Sequence, residues 1–189
     1  MLLLAMLRHG DTAWSAEGRI QGRSDVPLSD AGRLGVQGVR LPKLCAEMRS
    51  ITSPLARCVE TAALLGAPQA VREPRIVEMS WGDWEGRRLA DIRAELGSAM
   101  AKNEARGWDF RPEGGESPRE VLARVRSWLA ELSAPTLAIT HRGVIRAIYA
   151  TAAGWDLRGK PPAKLDWTAV QLFRVADDGT PAIEWLNLR

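Results

Sequence analysis

The sequence has few of the residues that bind metals or form disulfides. Its 189 residues include only two histidines, His9 and His141, and two cysteines, Cys45 and Cys58. No CxxC or Cys/His spacing typical of zinc is present, and two histidines cannot form a three-histidine site. The cysteines look like small core residues, and reduced thiols are the ordinary state in the cytoplasm. We therefore expect no metal site and a cytoplasmic location.

The chain also lacks long apolar runs and blocks of one charge. No run approaches membrane-spanning length, and the opening apolar stretch is too short for a signal peptide. The formal net charge is only +3, with acidic residues mixed among the arginines, so nothing favours nucleic acid. Of the 26 basic residues, four are lysine. Most of the arginine excess fits genomic base composition, but a few arginines are candidates for bidentate phosphate binding.

An Arg-His-Gly sequence follows the first apolar run. Met1 to Leu7 predicts a buried strand, and Arg8 and His9 come directly after it. Open α/β sheets bind their ligands at the carboxyl ends of strands. His141 follows a second apolar run, residues 135–140, within a similar His-Arg-Gly sequence. We therefore expect both histidines to face one site.

The alternation of predicted strands and helices favours an α/β sandwich with a largely parallel sheet. Its length suits a single domain, residues 1–189. The predicted strands are residues 1–7, 50–52, 136–140, 168–175 and 182–188, with short extended pieces at 70–71 and 75–77. The last two strands form a hairpin whose exposed edge makes a homodimer possible.

Capping signals place the helices. Ser29 is a predicted N-cap, Ser53 and Pro54 predict another helix start, and Ser117 to Glu120 forms a capping box. The predicted helices are residues 30–40, 54–65, 89–106, 118–132 and 144–153, with a short helical piece ending near residue 48. We expect residues 13–28 to form an ordered loop and residues 78–116 to form an insertion that covers the site.

Five candidate site residues lie at the ends of predicted elements: Arg8, His9, Arg57, Glu78 and His141. Arg57 lies in the first turn of its helix, where a cation opposes the helix dipole and is a candidate for binding an anion. Neutral imidazole can attack phosphorus, arginines can neutralise phosphoryl oxygens, and a carboxyl group can move the proton. This chemistry requires neither a metal nor another cofactor.

Several segments resemble the histidine phosphatase superfamily, which includes cofactor-dependent phosphoglycerate mutases. The resemblance covers nearly the whole chain in the family's order. It rests on Leu7 to Thr12, Gln21 to Ser29, Ser53 to Ala62, Glu78 with Trp81 to Gly86, Gly114 to Ser117, and His141 to Ala147. The resemblance implies a three-layer α/β/α sandwich with a mixed, mostly parallel sheet.

The resemblance also implies a role for each candidate. His9 is the implied phosphorylated nucleophile, and Glu78 is the implied proton donor. The implied phosphate pocket comprises Arg8, Arg57 and His141, with Thr12 and Gln21 as secondary residues. The implied activity is metal-independent hydrolysis of a small phosphomonoester, the protein's expected partner.

Several alternatives stay open at this point. Glu85 lies in the same segment as Glu78 and is a second candidate for the proton donor. Arg142 stands where the family commonly has a small residue, and it either strengthens phosphate binding or points to solvent. A phosphoglycerate mutase and a catalytically silent phosphate-binding domain are the alternative functions. The family's mutases usually have a larger insertion, so the short one here favours hydrolysis.

Overall fold

Strands and helices alternate along most of the chain, which ends in a strand hairpin. The computed structural model describes all 189 residues, Met1–Arg189. The strands are β1 (Leu2–Arg8), β2 (Arg49–Thr52), β3 (Val71–Arg72), β4 (Thr136–Thr140), β5 (Val170–Val175) and β6 (Pro181–Leu188). The helices are α1 (Ala13–Ala16), α2 (Asp30–Gln37), α3 (Ala56–Leu64), α4 (Leu89–Leu96), α5 (Ser98–Glu104), α6 (Pro118–Leu129) and α7 (Arg142–Ala152).

All six strands belong to one mixed sheet with the order β3-β2-β4-β1-β5-β6. The first four strands in that order run parallel to one another, whereas β5 is antiparallel to both of its neighbours, β1 and β6. The register between β1 and β4 pairs Arg8 with Thr140, so these two strands end together. The next residues, His9 and His141, therefore lie at the same edge of the sheet.

Side chains of β1 are buried on both faces of the sheet. Leu4 and Met6 pack with α6 and α7, while Ala5 and Leu7 pack with α3 on the opposite face. α2 packs against α3. Because side chains alternate along a strand, this pattern requires a helical layer on each face. The structure thus confirms the expected three-layer α/β/α sandwich.

Two of the predicted N-caps are confirmed. The Ser29 hydroxyl accepts a hydrogen bond from the Gly32 amide at the start of α2. At the start of α6, the Ser117 hydroxyl accepts from the Glu120 amide, and the Glu120 carboxylate accepts from the Ser117 amide. The predicted start of α3 is wrong. This helix begins at Ala56, and the side chain of its N-cap residue, Leu55, makes no capping hydrogen bond.

Local backbone geometry changes four other predictions. Residues 89–106 form two helices rather than one, because Gly97 adopts a φ of +48° between α4 and α5. Pro74–Ile76 forms a 3₁₀ turn rather than an extended piece, with the Glu73 carboxylate accepting from the Arg75 amide. The predicted loop 13–28 begins with the short helix α1, and the helical piece before residue 48 is a 3₁₀ turn, Lys43–Cys45.

Residues 78–116, the expected insertion, contain α4 and α5. Trp84, Ile92 and Met100 form a small apolar cluster there, separate from the two main cores. Leu89 of α4 and Met100 of α5 line the same cavity as His9. This segment therefore forms one wall of the candidate site. None of the chain's helices is both long enough and apolar enough to cross a membrane.

Candidate active site

A cavity of about 770 Å³ opens where β1 and β4 end. Five of the seven predicted site residues line it: Arg8, His9, Gln21, Arg57 and Glu78. They come from separate segments of the chain, which the parallel strand ends and the insertion bring together. His141 and Thr12 do not line the cavity. The predicted residues that line the cavity are therefore two arginines, one histidine, one glutamine and one glutamate, around a space that admits a small molecule.

His9 is held as a neutral imidazole with one nitrogen free. Its Nδ1 lies 2.7 Å from the Gly10 carbonyl oxygen, which can only accept, so Nδ1 carries the proton. The lone pair is then on Nε2. Burial lowers the pKa of His9 well below its usual value, and the charges of Arg8 and Arg57 lower it further. The residue is therefore an uncharged nucleophile at neutral pH.

His141 lies behind His9, with ring centroids 5.2 Å apart, and is completely buried. Its Nε2 is hydrogen bonded to the Ser53 hydroxyl at 2.7 Å and lies 3.4 Å from the Cys58 sulfur. Burial lowers the pKa of His141, and His9 and Arg57 lower it further. The two histidines meet as expected, but only His9 faces the cavity. Ser53, expected to cap α3, serves as the hydrogen-bond partner of His141.

Arg57 is a fully buried cation without a carboxylate partner. Its Nη1 donates to the Ser24 carbonyl at 2.8 Å and its Nη2 to the Gly22 carbonyl at 2.7 Å. Its Nε has no hydrogen-bond partner. Burying a charge without an ion pair costs several kcal/mol, on the order given by ion desolvation. Such an arrangement favours the binding of an anion in the adjoining cavity.

The loop that holds Arg57 is itself fixed by two carboxylates. Asp25 accepts a hydrogen bond from the Ala56 amide at 2.7 Å, so it caps α3 from outside the helix. Glu85 accepts from the Arg23 and Ser24 amides and from the Ser24 hydroxyl, at 2.6–2.9 Å. Burial raises the pKa of Glu85, but these hydrogen bonds outweigh it and the pKa is lowered. Glu85 is thus an ionised carboxylate that holds the loop in place from outside the cavity. Its position and its lowered pKa both disfavour it as the proton donor.

Glu78 comes from the loop after Val77, and its buried carboxyl group lies beside the N-terminus of α7. Its Oε1 accepts from the Met79 amide at 2.8 Å and from the Gly143 amide at 3.0 Å. Burial raises its pKa, although these two hydrogen bonds oppose the increase. A Cβ at Gly143 would lie 2.3 Å from Oε1, so any side chain there would displace the carboxyl group of Glu78. A carboxyl group with a raised pKa inside a cavity suits a general acid.

Arg8 and Gln21 complete the polar wall of the cavity. Both Nη atoms of Arg8 lie 3.2 Å from Oδ1 of Asp11, whose side chain is mostly exposed. This pair is solvated and weak, which leaves the guanidinium available to a ligand. The Oε1 atom of Gln21 is buried without a hydrogen-bond partner. The two side chains therefore add polar atoms whose hydrogen-bonding capacity is not fully used within the protein.

Thr12 is placed differently from its predicted role as a pocket residue. Its side chain is fully buried, and its hydroxyl accepts from the Ser15 amide at 3.1 Å. The Ser15 hydroxyl accepts in turn from the Thr12 amide, so the two residues form a capping box for α1. This capping explains the residue without a ligand. The structure places Thr12 in the turn after His9 and not among the residues that line the cavity, and its role as a secondary pocket residue stays a prediction.

Sequence reasoning missed three residues that position the site. Ser53 contacts His141, and Gly143 binds the carboxylate of Glu78. Arg124 of α6 donates to the Glu78 carbonyl at 3.2 Å and to the Arg75 carbonyl at 2.6 Å. The glycine shared by Arg-His-Gly and His-Arg-Gly was a usable signal for Gly143. The sequence indicates Ser53 only as an N-cap and does not indicate Arg124, because both act on the site through hydrogen bonds to residues distant in the chain.

The arrangement suits phosphoryl transfer to nitrogen. A neutral nucleophile, buried cations and a protonated carboxyl group are the parts needed to attack a phosphate monoester and protonate its leaving oxygen. No group of three or more His, Cys, Asp or Glu side chains is placed to hold a metal ion.

Comparison with known proteins gives a consistent result over nearly the whole chain. The sequence profile of the histidine phosphatase superfamily (branch 1) matches residues 4–188. Glucosyl-3-phosphoglycerate phosphatase of Mycobacterium tuberculosis is 32% identical, over 96% of this chain and 91% of that protein. A 2,3-bisphosphoglycerate-dependent phosphoglycerate mutase of Methylobacterium sp. is 29% identical, over 94% and 93%. The solved structure of mycobacterial hydrolase 1 superposes with a TM-score of 0.81 at 27% identity, covering 99% of this chain and 98% of that chain.

Proposed function

This chain belongs to the histidine phosphatase superfamily, and on that premise we propose that it hydrolyses a small phosphomonoester through a phosphohistidine intermediate on His9. The observation that carries the proposal is the fully buried Arg57, which has no carboxylate partner and borders the same cavity as a neutral His9. The reaction uses no metal ion. The similarity to a phosphatase that acts on glucosyl-3-phosphoglycerate supports hydrolysis.

In the first step the phosphate binds between Arg57 and Arg8. Nε2 of His9 attacks the phosphorus atom, and the bond between phosphorus and the ester oxygen breaks. The proton of Glu78 moves to the leaving oxygen, which departs as an alcohol. The two guanidinium groups neutralise charge on the phosphoryl oxygens as the transition state forms. Gln21 contributes a further polar contact.

In the second step water replaces the nitrogen on phosphorus. Glu78, now ionised, accepts a proton from the attacking water, and the bond between phosphorus and Nε2 breaks. Inorganic phosphate leaves and His9 is neutral again. We place His141 in a supporting role for both steps, because its uncharged ring keeps positive charge from accumulating behind His9. Its direct contact with a phosphoryl oxygen stays a prediction.

Hydrolysis is favoured over return of the phosphoryl group to a substrate. The segment over the site contains only two short helices, α4 and α5, so we expect it to leave the phosphoenzyme accessible to water. The similarity to a phosphoglycerate mutase makes transfer the second candidate. The two activities share the first step and differ only in which oxygen attacks the phosphohistidine.

Phosphate release from a panel of phosphomonoesters tests the proposal, with EDTA present throughout. We expect hydrolysis that EDTA does not reduce, with 3-phosphoglycerate and sugar phosphates in the panel. Rapid conversion of 3- to 2-phosphoglycerate, with little phosphate release, would instead identify a mutase. Loss of activity in EDTA, restored by a divalent cation, would contradict the metal-free reaction.

Glu78→Gln is expected to remove one limb of the pH profile. In the wild type kcat/KM falls as pH drops through the lowered pKa of His9, and falls as pH rises through the raised pKa of Glu78. The variant keeps the first limb and loses the second, and kcat/KM for an alkyl phosphate falls about 10²–10⁴-fold. An aryl phosphate, whose leaving group needs no proton, loses much less and shows a burst because the second step is slowed.

Glu85→Gln is the matched control for that experiment, since the same change is made seven residues further along the segment. It weakens the loop that holds Arg57, so KM rises, but both limbs of the pH profile stay. If the alkaline limb disappears in Glu85→Gln and persists in Glu78→Gln, the assignment of the proton donor is reversed.

A single domain over residues 1–189, a cytoplasmic location and a homodimer stay predictions. β6 lies at the edge of the sheet, and Trp185 on it is 61% exposed. An unpaired strand edge of this kind is able to pair with another chain.

A further inference from the structure

Two arginines in the cavity have no part in the reaction described above. Arg142 and Arg146 both line the cavity and project from the same side of α7, four residues apart. Neither guanidinium group makes a hydrogen bond or an ion pair with another protein group. By contrast, Arg8, Arg19 and Arg93, which line the same cavity, are paired with Asp11, Glu17 and Glu104. The two guanidinium groups of α7 are therefore cations that no carboxylate or hydrogen-bond acceptor of the protein pairs with.

Both guanidinium groups are nevertheless held in place by aromatic rings. The guanidinium carbon of Arg142 lies 4.8 Å from the ring centroid of Trp167, and that of Arg146 lies 4.9 Å from the Trp155 ring. Trp155 is itself buried, and its indole N–H donates to the Arg158 carbonyl. The ring attracts the cation and restrains its position, and the N–H groups of the guanidinium stay free to donate. The donors are thus preorganised, which reduces the entropy lost on binding a ligand.

The charges around these arginines make the arrangement unfavourable without an anion. Like charges one helical turn apart repel, and a cation in the first turn of α7 opposes the helix dipole. Arg8 adds positive charge near Arg142, and Glu78 is the acidic group that faces it. Burial and these positive neighbours lower the pKa of both arginines, which nonetheless stay charged at neutral pH. An anion between them would remove this repulsion.

We propose that Arg142 and Arg146 bind a second anionic group of the substrate, an inference that rests on the proposed phosphatase activity. Arg142 follows His141 directly, and Arg146 lies about 6 Å further along the helix axis. A small substrate with its phosphate at His9 and Arg57 would place another charged group against this face of α7. The substrate class is therefore a phosphomonoester that also carries a carboxylate or a second phosphate.

Matched pairs of substrates test this selectivity. 3-Phosphoglycerate and glycerol 3-phosphate differ only in a carboxylate that replaces a hydroxymethyl group. Fructose 1,6-bisphosphate and fructose 1-phosphate differ in a second phosphate. We expect the wild type to prefer the more highly charged member of at least one pair, and the pair that shows the preference identifies the group as carboxylate or phosphate.

Arg142→Met with Arg146→Met is expected to abolish that preference. The ratio of kcat/KM values within the preferred pair falls about 10- to 100-fold, as expected when hydrogen bonds to a charged group are lost. Arg93→Met is the control, because Arg93 lines the same cavity but is paired with Glu104. The control removes one positive charge and leaves the ratio within about threefold, the range of a solvated ion pair.

The outcomes separate this inference from the proposed function. Hydrolysis by the wild type with no preference in either pair, or an unchanged ratio in the double variant, overturns the second anion site alone. No hydrolysis of any compound overturns the phosphatase. In that event calorimetric binding of 3-phosphoglycerate and of glycerol 3-phosphate to wild type and double variant still decides the anion site, by the same ratio.

Discussion

Replacing His9 with alanine will lower kcat/KM for every phosphomonoester by at least about 10⁴-fold, because the nucleophile itself is removed. The carbonyl of Gly10 fixes the tautomer of His9, and His9 is the only histidine among the residues that line the cavity. Water would have to attack phosphorus directly, without the phosphoenzyme. Steady-state phosphate release, with a sensitive assay for residual turnover, measures the loss.

Phosphate binding separates a loss of chemistry from a loss of structure. Arg8 and Arg57 are untouched by the substitution, so the His9→Ala protein should still bind inorganic phosphate, with an unchanged circular dichroism spectrum. A variant that binds phosphate and does not turn over supports His9 as the nucleophile. A variant that retains more than about a tenth of wild-type activity would contradict a role of this size.

Replacing Arg57 with methionine will lower kcat/KM by about 10²–10³-fold, or roughly 3–4 kcal/mol of transition-state stabilisation. Methionine fills similar space but cannot donate hydrogen bonds to phosphoryl oxygens. It also leaves the Gly22 and Ser24 carbonyls without their donors. The rise in Tm that inorganic phosphate produces in the wild type should largely disappear, since ligand stabilisation follows affinity.

Arg75→Met is the control for that substitution, since it also removes one arginine charge. The Arg75 side chain is paired with Glu73 and Glu131, and none of these three residues lines the cavity. We expect kcat/KM to stay within about threefold of the wild type, as for a solvated ion pair. Equal losses in the two variants would show that Arg57 matters only through overall charge or stability.

Strand order decides the positions of some site residues, and those positions were predictable from the sequence. Two apolar runs, each followed by a histidine, place His9 and His141 at one sheet edge once the strands are parallel neighbours. Capping by Ser29 and Ser117 was predictable for a similar reason, because the signal lies within four residues. A short-range pattern of this kind predicts the structure correctly unless a residue distant in the sequence forms a hydrogen bond with the same atom.

A long-range hydrogen bond accounts for the incorrect prediction of an N-cap at Ser53. Ser53 has the sequence of an N-cap, but its hydroxyl is hydrogen bonded to His141, and Asp25 caps α3 instead. The capping of α1 by the Thr12 hydroxyl was also not predicted from the sequence. The partners of Arg57 are backbone carbonyls, which no side-chain pattern reveals. Only the structure could show that its charge is buried without a counterion.

The choice between Glu78 and Glu85 also needed the environment of each carboxyl group. Both are glutamates in the same short segment, so residue type does not distinguish them. Glu85 accepts hydrogen bonds that favour its ionised form, whereas burial dominates at Glu78. Environment, and not residue type, therefore separates a structural carboxylate from a proton donor.

The most direct test of the phosphohistidine mechanism is mass spectrometry of enzyme quenched with denaturant, under mildly alkaline conditions, within milliseconds of mixing with substrate. This mechanism predicts a protein heavier by one phosphoryl group, with the group on the peptide that contains His9 and absent from the His9→Ala protein. Phosphate release by an enzyme that never carries a phosphoryl group, or that carries it on another residue, would contradict the mechanism.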